Sequence, residues 1–578
     1  MRSVVVTILC LLAGCTSAAV MHVGTDLSTA IPSEWPYDTD AAAVHATSAM
    51  VVSDAPIATE VGLDVLRTGG NAIDAVVATA FALAVVYPEA GNIGGGGFMV
   101  ARMADRTEAA LDFREKAPLA ATGDMYLDGE GNVTDRSVTG HLASGVPGSV
   151  MGLWEAHRRL GTRAWADLLQ PAIDLARDGF TVDMHLAASV AGAASGLREF
   201  GGSAALFLPG GTPLRAGTRW RNPDLAAVLQ RISDEGPPGF YAGRTAALII
   251  AEMERGGGII TLEDLQRYSA EWRTPITFDY RGHRVISMPP SSSGGITLAL
   301  MANIMDGYPL DRLGWHSQAA LHLTGEAMRR AFADRNYFLG DPEFVVMPID
   351  TLVSQEYADR LRAGIDRLQA TPSTAVRPGI ELRSEPEHTT HISVVDRRGN
   401  AVALTTTIND LYGSGVTVAG AGFVLNDEMD DFAAKPGTPN MYGLVQGYAN
   451  AIEPGKRMLS AMTPTIVLDP EDDVLLVTGA RGGPRIISAV FQVISNVVDY
   501  ELEAAAAVHA PRIHHQHLPD VLYYESDGVT EAMISELREM GHTVMARSSV
   551  GSAPTIVRRS GAWSAMSDPR SGGRAAGY

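Results

Sequence analysis

Residues 388–409 read HTTHISVVDRRGNAVALTTTIN, and the fold turns on how that stretch is taken. Two threonines, Thr389 and Thr390, open it. An alternating run follows from His391 to Asp396, with Val394 and Val395 supplying β-branched bulk, and Arg398-Gly399-Asn400 offers a turn. Residues 401–407 read as a returning strand. Composition and period together predict a hairpin whose return leg carries Thr405, Thr406, Thr407 and Asn409 close to the hydroxyl at its start. Taken alone, it is most simply a polar edge strand with satisfied threonines.

The wider sequence favours a chemical role. TTHISVVDRRGNAV (389–402), GFVLNDEMDDFAAKPGTPNMYGLV (422–445), KRMLSAMTPTIV (456–467) and VTGARGGPRII (477–487) follow one another in close order. In order and spacing these motifs resemble the gamma-glutamyltransferase family, the glutathione hydrolases, which belong to the N-terminal nucleophile hydrolases. The resemblance implies an α+β fold, a four-layer αββα sandwich formed jointly by two autoproteolytic fragments. It also implies that the precursor cuts itself between His388 and Thr389, so that Thr389 becomes both nucleophile and new N-terminus. The expected organisation is a lipoprotein-type signal peptide over 1–14, a tether over 15–45, a large subunit over 46–388 and a small subunit over 389–578.

The chemistry needs those residue types. A threonine hydroxyl is a weak nucleophile without a base. As a chain terminus Thr389 carries its own base, the free α-amine, which exists only after cleavage. The cut uses the same Oγ against the His388 carbonyl, an intramolecular attack favoured by proximity. In the matured protein the hydroxyl attacks a γ-amide carbonyl and forms a γ-glutamyl ester. Water then resolves the ester in hydrolysis, and an amino acid or peptide amine resolves it in transpeptidation.

Further roles are implied by motif match. Arg114, in LDFREKAP (111–118), corresponds to the arginine that grips the α-carboxylate, a task suited to a planar guanidinium. Thr407 sits where a threonine hydrogen-bonds the nucleophile, and Asn409 where an asparagine contacts the substrate. Glu428 and Asp431 match the positions that bind the α-ammonium group. Gly482 and Gly483 match the pair whose backbone N–H groups form the oxyanion hole, where a Cβ would obstruct the approach. Residues 436–445, with Tyr442, resemble a lid loop. Two departures stand out. The family usually has two serines where this chain has Ser460-Ala461, so one hydroxyl is missing from the carboxylate pocket. Ala480-Arg481 precedes the glycine pair, where serine and proline are commoner. Both bear on substrate choice, and a cephalosporin-acylase-like glutaryl amidase on the same scaffold is the enzymatic alternative. An uncleaved, inactive binding lipoprotein is the alternative of another class.

Composition narrows the partners. The chain is 46% apolar and 19% charged, ordinary for a globular protein, and long enough for a large core. A net charge of −21 argues against nucleic acid, whose phosphates require a basic surface. The partners that the family resemblance implies are glutathione or another γ-glutamyl amide, an amino acid or peptide acceptor, and the two subunits of one precursor. No cofactor and no metal is implied. Glu428 with Asp431 has no histidine beside it, and His514, His515 and His517 lie in a segment that the resembling family also carries without metal.

Arg2 and the apolar run of residues 4–12 form an export signal, and Leu12-Ala13-Gly14-Cys15 resembles a bacterial lipoprotein box, the alternative being an ordinary signal cleaved near Ala18 or Ala19. Lipidation at Cys15 would make the protein periplasmic and attach it to a membrane through its lipid alone. Cys10 and Cys15 are the only cysteines, so the body has no disulfide and holds together by packing.

Between signal and hairpin, helices are expected over 56–67, with Asp54 as cap, and over 72–86. Strands are expected over 98–103 and 109–113, and GNIGGGGF (91–98) lets backbone pass close to the active centre. Residues 125–340 read as mostly helical, with one strand over 280–288. The serines of PPSSSGG (289–295) read as a helix cap rather than a nucleophile elbow.

Overall fold

The hairpin forms, but at the centre of a sheet rather than at its edge. Thr390–Val395 pairs with Ala401–Thr407 so that Thr390 faces Thr406 and Val395 faces Ala401. The turn closes on Asp396, whose carboxylate accepts the Arg398 and Asn400 N–H groups and, through Oδ2, the Ala72 N–H that opens the helix behind. The tip is thereby pinned to the layer it packs on.

The computed structural model describes residues 30–37, 39, 42–376 and 389–578; His388, Cys15 and the export segment lie outside them. Two seven-stranded antiparallel sheets face each other. The first runs Arg574–Gly577, Met50–Ser53, Thr390–Val395, Ala401–Thr407, Gly96–Arg102, Glu108–Phe113, Glu271–Arg273. The second runs Val44–Ala46, Ala562–Met566, Thr555–Arg559, Val474–Thr478, Thr465–Leu468, His283–Ser287, Ile276–Tyr280. Each sheet interleaves strands from before residue 376 and after residue 389, so neither part could form either sheet alone.

Helices cover both outer faces, giving the αββα order. Pro56–Arg67, Ala72–Val86 and Ser149–Leu160 lie on the first sheet, and Gly294–Asp306 and Ala504–His509 on the second. Ala72–Val86 is buried along its whole length, as an all-round apolar sequence requires. Its one charge, Asp74, is matched by the capping box with Asn71 and by the Thr162 N–H at 2.9 Å. On the central strand, Ile392 and Val394 face these helices while His391 and Ser393 point between the sheets, the period-2 alternation read from the sequence with both faces covered. Among the described residues no helix is long and apolar enough to cross a membrane.

The tetraglycine works by close approach. A Cβ on Gly95 would lie 2.0 Å from the Thr407 carbonyl oxygen, and one on Gly94 2.2 Å from that of Val424. Only glycine lets this strand lie against the end of the hairpin.

Three local expectations change. Pro56–Arg67 has no side-chain cap, and Asp54 instead accepts from Thr390 Oγ1 (2.9 Å) and Ser571 Oγ (2.7 Å). Residues 280–288 are not one strand, because Arg281 and Gly282 both take positive φ and turn the chain between Ile276–Tyr280 and His283–Ser287. The 291–293 serines do little capping. Ser293 donates to the Ser460 carbonyl (2.6 Å) and Ser292 to that of Met462 (2.6 Å), so they hold the Ser460-Ala461 segment in place.

Candidate active site

Thr389 lies just ahead of the central strand, and its side chain borders a cavity of about 20 Å³, room for about one ordered water. Thr407, Asn409, Arg114, Glu428, Asp431, Tyr442, Ser460, Ala461 and Gly483 line the same cavity. Gly482 is adjacent but does not line it. These residues come from positions as far apart as 114 and 483, and the interleaved sheets bring them together.

The floor is the nucleophile end. Asn409, at φ 74°, donates its N–H to Thr407 Oγ1 at 2.8 Å, so the end of the return strand turns back over its own last hydroxyl. His391, two residues from Thr389, takes no part. Its Nδ1 meets Thr405 Oγ1 at 2.8 Å and its Nε2 meets Ser393 Oγ at 3.0 Å, and burial pulls its pKa down to about 3. It is a neutral packing residue between the sheets.

Gly482 and Gly483 make one wall, at φ 135° and 52°. Their carbonyls accept the Arg485 and Ile486 N–H groups at 3.1 Å, so the pair forms the entry to the helix Arg485–Val498. Neither glycine amide donates to another group among the described residues. A helix N-terminus with free amides is where developing negative charge is stabilised.

Opposite stands a charged cluster. Arg114 is fully buried, donates to the Met458 carbonyl at 3.2 Å and faces three carboxylates. Its Nη1 lies 3.3 Å from Glu115 and 2.5 Å from Glu428, and its Nη2 bonds Asp431. These neighbours outweigh its burial and hold the guanidinium charged. Burial in turn raises the carboxylates, Glu115 to about 7 and Glu428 and Asp431 above their ordinary range, with Arg114 pulling the other way. Glu428 touches Arg114 without hydrogen-bond alignment, and both of its oxygens lack a hydrogen-bond partner among the described residues. Buried acceptors of this kind can take a cationic donor.

Tyr442 closes the top. Its hydroxyl donates to the Asn409 side chain, and a Cβ on Gly483 would be 3.0 Å from its ring. Loop 436–445 is held down by the Met441 N–H on Asp430 (2.8 Å) and by Gln516 on the Tyr442 carbonyl (3.1 Å).

Sequence reasoning missed Arg335, which also lines the cavity. Its Nε donates to Ser293 Oγ at 3.0 Å, and among the described residues it has no carboxylate within ion-pair distance. Burial, with Arg114 nearby and Asp431 opposing, lowers its pKa to about 10. A signal was present in the run of Arg329, Arg330, Asp334 and Arg335 on the buried helix Gln318–Phe338. The histidines of 514–517 do not converge. His514 bonds Ser488 and Gln516, while His515 turns to Asp520.

Ser460 and Ala461 line the same cavity as Arg114. Ala461→Ser adds a hydroxyl there, and a hydrogen bond to a charged group is worth roughly 1.5–3 kcal/mol. The variant should therefore lower KM for a γ-glutamyl anilide about tenfold with kcat little changed. An unaltered KM would mean that this hydroxyl has no carboxylate to meet.

Known proteins resemble this chain over most of its length. The family model described as Gamma-glutamyltranspeptidase matches residues 58–578. The chain is 48% identical to a glutathione hydrolase proenzyme of Pseudomonas sp. (strain A14), over 83% of each chain. It is 46% identical to the Escherichia coli (strain K12) glutathione hydrolase proenzyme, over 91% of each. The crystal structure of cephalosporin acylase from Bacillus halodurans superposes with a TM-score of 0.82 at 28% identity, covering 95% of this chain and 99% of that one.

Proposed function

The chain belongs to the gamma-glutamyltranspeptidase family, and on that footing we propose that it cuts itself before Thr389 and then hydrolyses or transfers γ-glutamyl groups, with glutathione as the default donor. One observation carries the reading: a single cavity is lined by Thr389, by Gly483 at the helix entry and by the Arg114–Glu428–Asp431 cluster.

After the cut, the Thr389 α-amine takes the proton from its own Oγ, and Oγ attacks the γ-carbonyl of the donor. Charge develops on the carbonyl oxygen beside the two glycine amides. The amine returns the proton to the departing amide nitrogen, leaving a γ-glutamyl ester on Thr389. Water or an acceptor amine then attacks that ester with the α-amine again as base. Thr407 and Asn409 keep the hydroxyl oriented, and Tyr442 excludes bulk water. The boundary at 388/389 makes residues 46–388 the large subunit and 389–578 the small one. Residues 1–14 direct export, and Cys15 takes the lipid.

The cluster favours an α-amino donor over a glutaryl one. In the free protein Arg114 faces three carboxylates. A substrate with both an α-ammonium and an α-carboxylate exchanges partners. Glu428 and Asp431 turn to the ammonium, and Arg114 is released to the carboxylate. A glutaryl group brings only the anion and leaves the two acidic side chains uncompensated, which is costly in a buried site. Turnover of γ-glutamyl anilide should exceed that of glutaryl anilide by about 100-fold or more in kcat/KM, the worth of one charge-assisted contact or two. Equal or faster glutaryl turnover would make the acylase alternative correct.

The raised carboxylates fix the direction of the pH dependence. Only the ionised forms hold an ammonium, and their pKa values lie above the ordinary range, so binding strengthens as pH rises. KM for the γ-glutamyl anilide should fall as pH rises above the ordinary carboxylate range, until the amino-acid ammonium itself deprotonates. Glu428→Gln should flatten that slope while leaving the kcat profile, which reports the Thr389 amine, in place. A wild-type KM that does not vary with pH would contradict the assignment.

A further inference from the structure

Arg481 immediately precedes Gly482 and Gly483. Proline would fix the entry to this turn through its own ring; an arginine must be fixed by what it touches. Its backbone exchanges both hydrogen bonds with Ser552, at 2.9 and 3.0 Å. Its side chain runs inward, with 17% of its surface exposed, bonds the Tyr87 hydroxyl and comes within 3.7 Å of Glu89. Burial opposes its charge, but Tyr87, Asp54 and Glu89 around it more than offset this.

Asp54 is the other half. It is buried, and its Oδ2 takes the Thr390 hydroxyl at 2.9 Å and the His391 N–H at 3.4 Å, at the start of the strand that follows Thr389. Its Oδ1 accepts from Ser571 Oγ, which in turn receives the Ser552 hydroxyl at 2.8 Å. Burial pushes Asp54 up, and Arg481 is the strongest influence holding it ionised. A continuous chain of hydrogen bonds therefore runs from the Arg481 backbone through Ser552, Ser571 and Asp54 to Thr390, while the Arg481 side chain is anchored on Tyr87 and Glu89.

We propose that Arg481 is a positioning residue: with its side chain anchored on Tyr87 and Glu89 and its backbone linked through Ser552 and Ser571 to Asp54, it locks the turn bearing Gly482 and Gly483 against the strand headed by Thr389 and so sets the reach from nucleophile to oxyanion hole. The inference rests on the catalytic roles proposed above for Thr389 and the two glycines. It also explains why Asp54 is not used as a helix cap.

The test uses the full chain, matured and checked for a fragment beginning at Thr389. In Arg481→Met, kcat for a γ-glutamyl anilide should fall about 10- to 100-fold, the usual cost of a misplaced oxyanion donor, with KM changed less than about twofold. Arg481→Lys keeps a cation beside Tyr87 and Glu89 and should recover kcat to within about threefold of wild type; Asp54→Asn, at the other end of the same link, should match the loss in Arg481→Met, and the double variant should lose little more than the worse single one. A matured Arg481→Met with wild-type kcat would overturn the proposal. So would single losses that multiply in the double variant, or a loss confined to KM, which would make Arg481 a substrate contact. Should Arg481→Met fail to mature, Arg481→Lys and Asp54→Asn are judged by the same kcat criterion. Failure of the underlying reading looks different: Thr389→Ala would then mature and retain activity whatever Arg481 does.

Discussion

Thr389→Ala leaves one uncut chain that neither hydrolyses nor transfers γ-glutamyl groups. Both consequences come from one atom. Without Oγ nothing attacks the preceding carbonyl, so the α-amine that serves as base is never released, and the later acyl step has no nucleophile. Loss of a covalent nucleophile acting as part of a unit costs on the order of 10⁴- to 10⁶-fold in kcat, and here the missing base coincides with it. Thr389→Ser keeps the oxygen and should still cut. The cavity supports the assignment because His391, two residues on, is neutral and engaged between the sheets rather than with Thr389. A denaturing gel with a kinetic assay decides it; an alanine variant that is cut and active would remove Thr389 from the mechanism.

Arg114→Gln is expected to damage both folding and binding. It leaves Glu115, Glu428 and Asp431 buried without their shared cation. Breaking a buried pair from one side costs about 3–5 kcal/mol, reduced here because the raised carboxylates can take up protons. Those protons make matters worse for the ammonium they should bind, and the α-carboxylate loses its arginine. KM should rise at least about 100-fold, two charge-assisted hydrogen bonds being worth about 1.5–3 kcal/mol each. Arg114→Lys separates the two effects. It keeps the charge, and with it much of the stability, but loses the two-pronged geometry, so KM still rises. Adding Glu428→Gln to Arg114→Gln should restore part of the melting temperature without restoring KM. A wild-type KM in Arg114→Lys would mean that the carboxylate is held elsewhere.

What the sequence made legible follows the range of the interactions. The hairpin, the buried helix Ala72–Val86 and the helix Pro56–Arg67 come from periodicity and end signals within a dozen residues, and they form with the expected limits. Asp54 carried a local cap signal that a hydrogen bond to Thr390, 336 residues away, overrides. The same holds for the 291–293 serines, whose partners lie at 460 and 462. A threonine-rich hairpin looks like an edge, but Met50–Ser53 and Gly96–Arg102 flank it on both sides, and nothing local announces them. Arg335 stayed hidden because a buried charge on a helix resembles any ion-paired arginine until the cavity beside it is seen. Glu428 and Asp431 were legible as a pair, whereas the three-carboxylate ring around Arg114 was not, since Glu115 reads as its sequence neighbour rather than as a pocket member.

Intact-mass and N-terminal analysis of the purified, matured protein bears most directly on the central claim. The account predicts two chains that stay together in native buffer and separate in denaturant, one of them running from Thr389 to Tyr578. A single unbroken chain, or a second chain beginning at any residue other than Thr389, would contradict it.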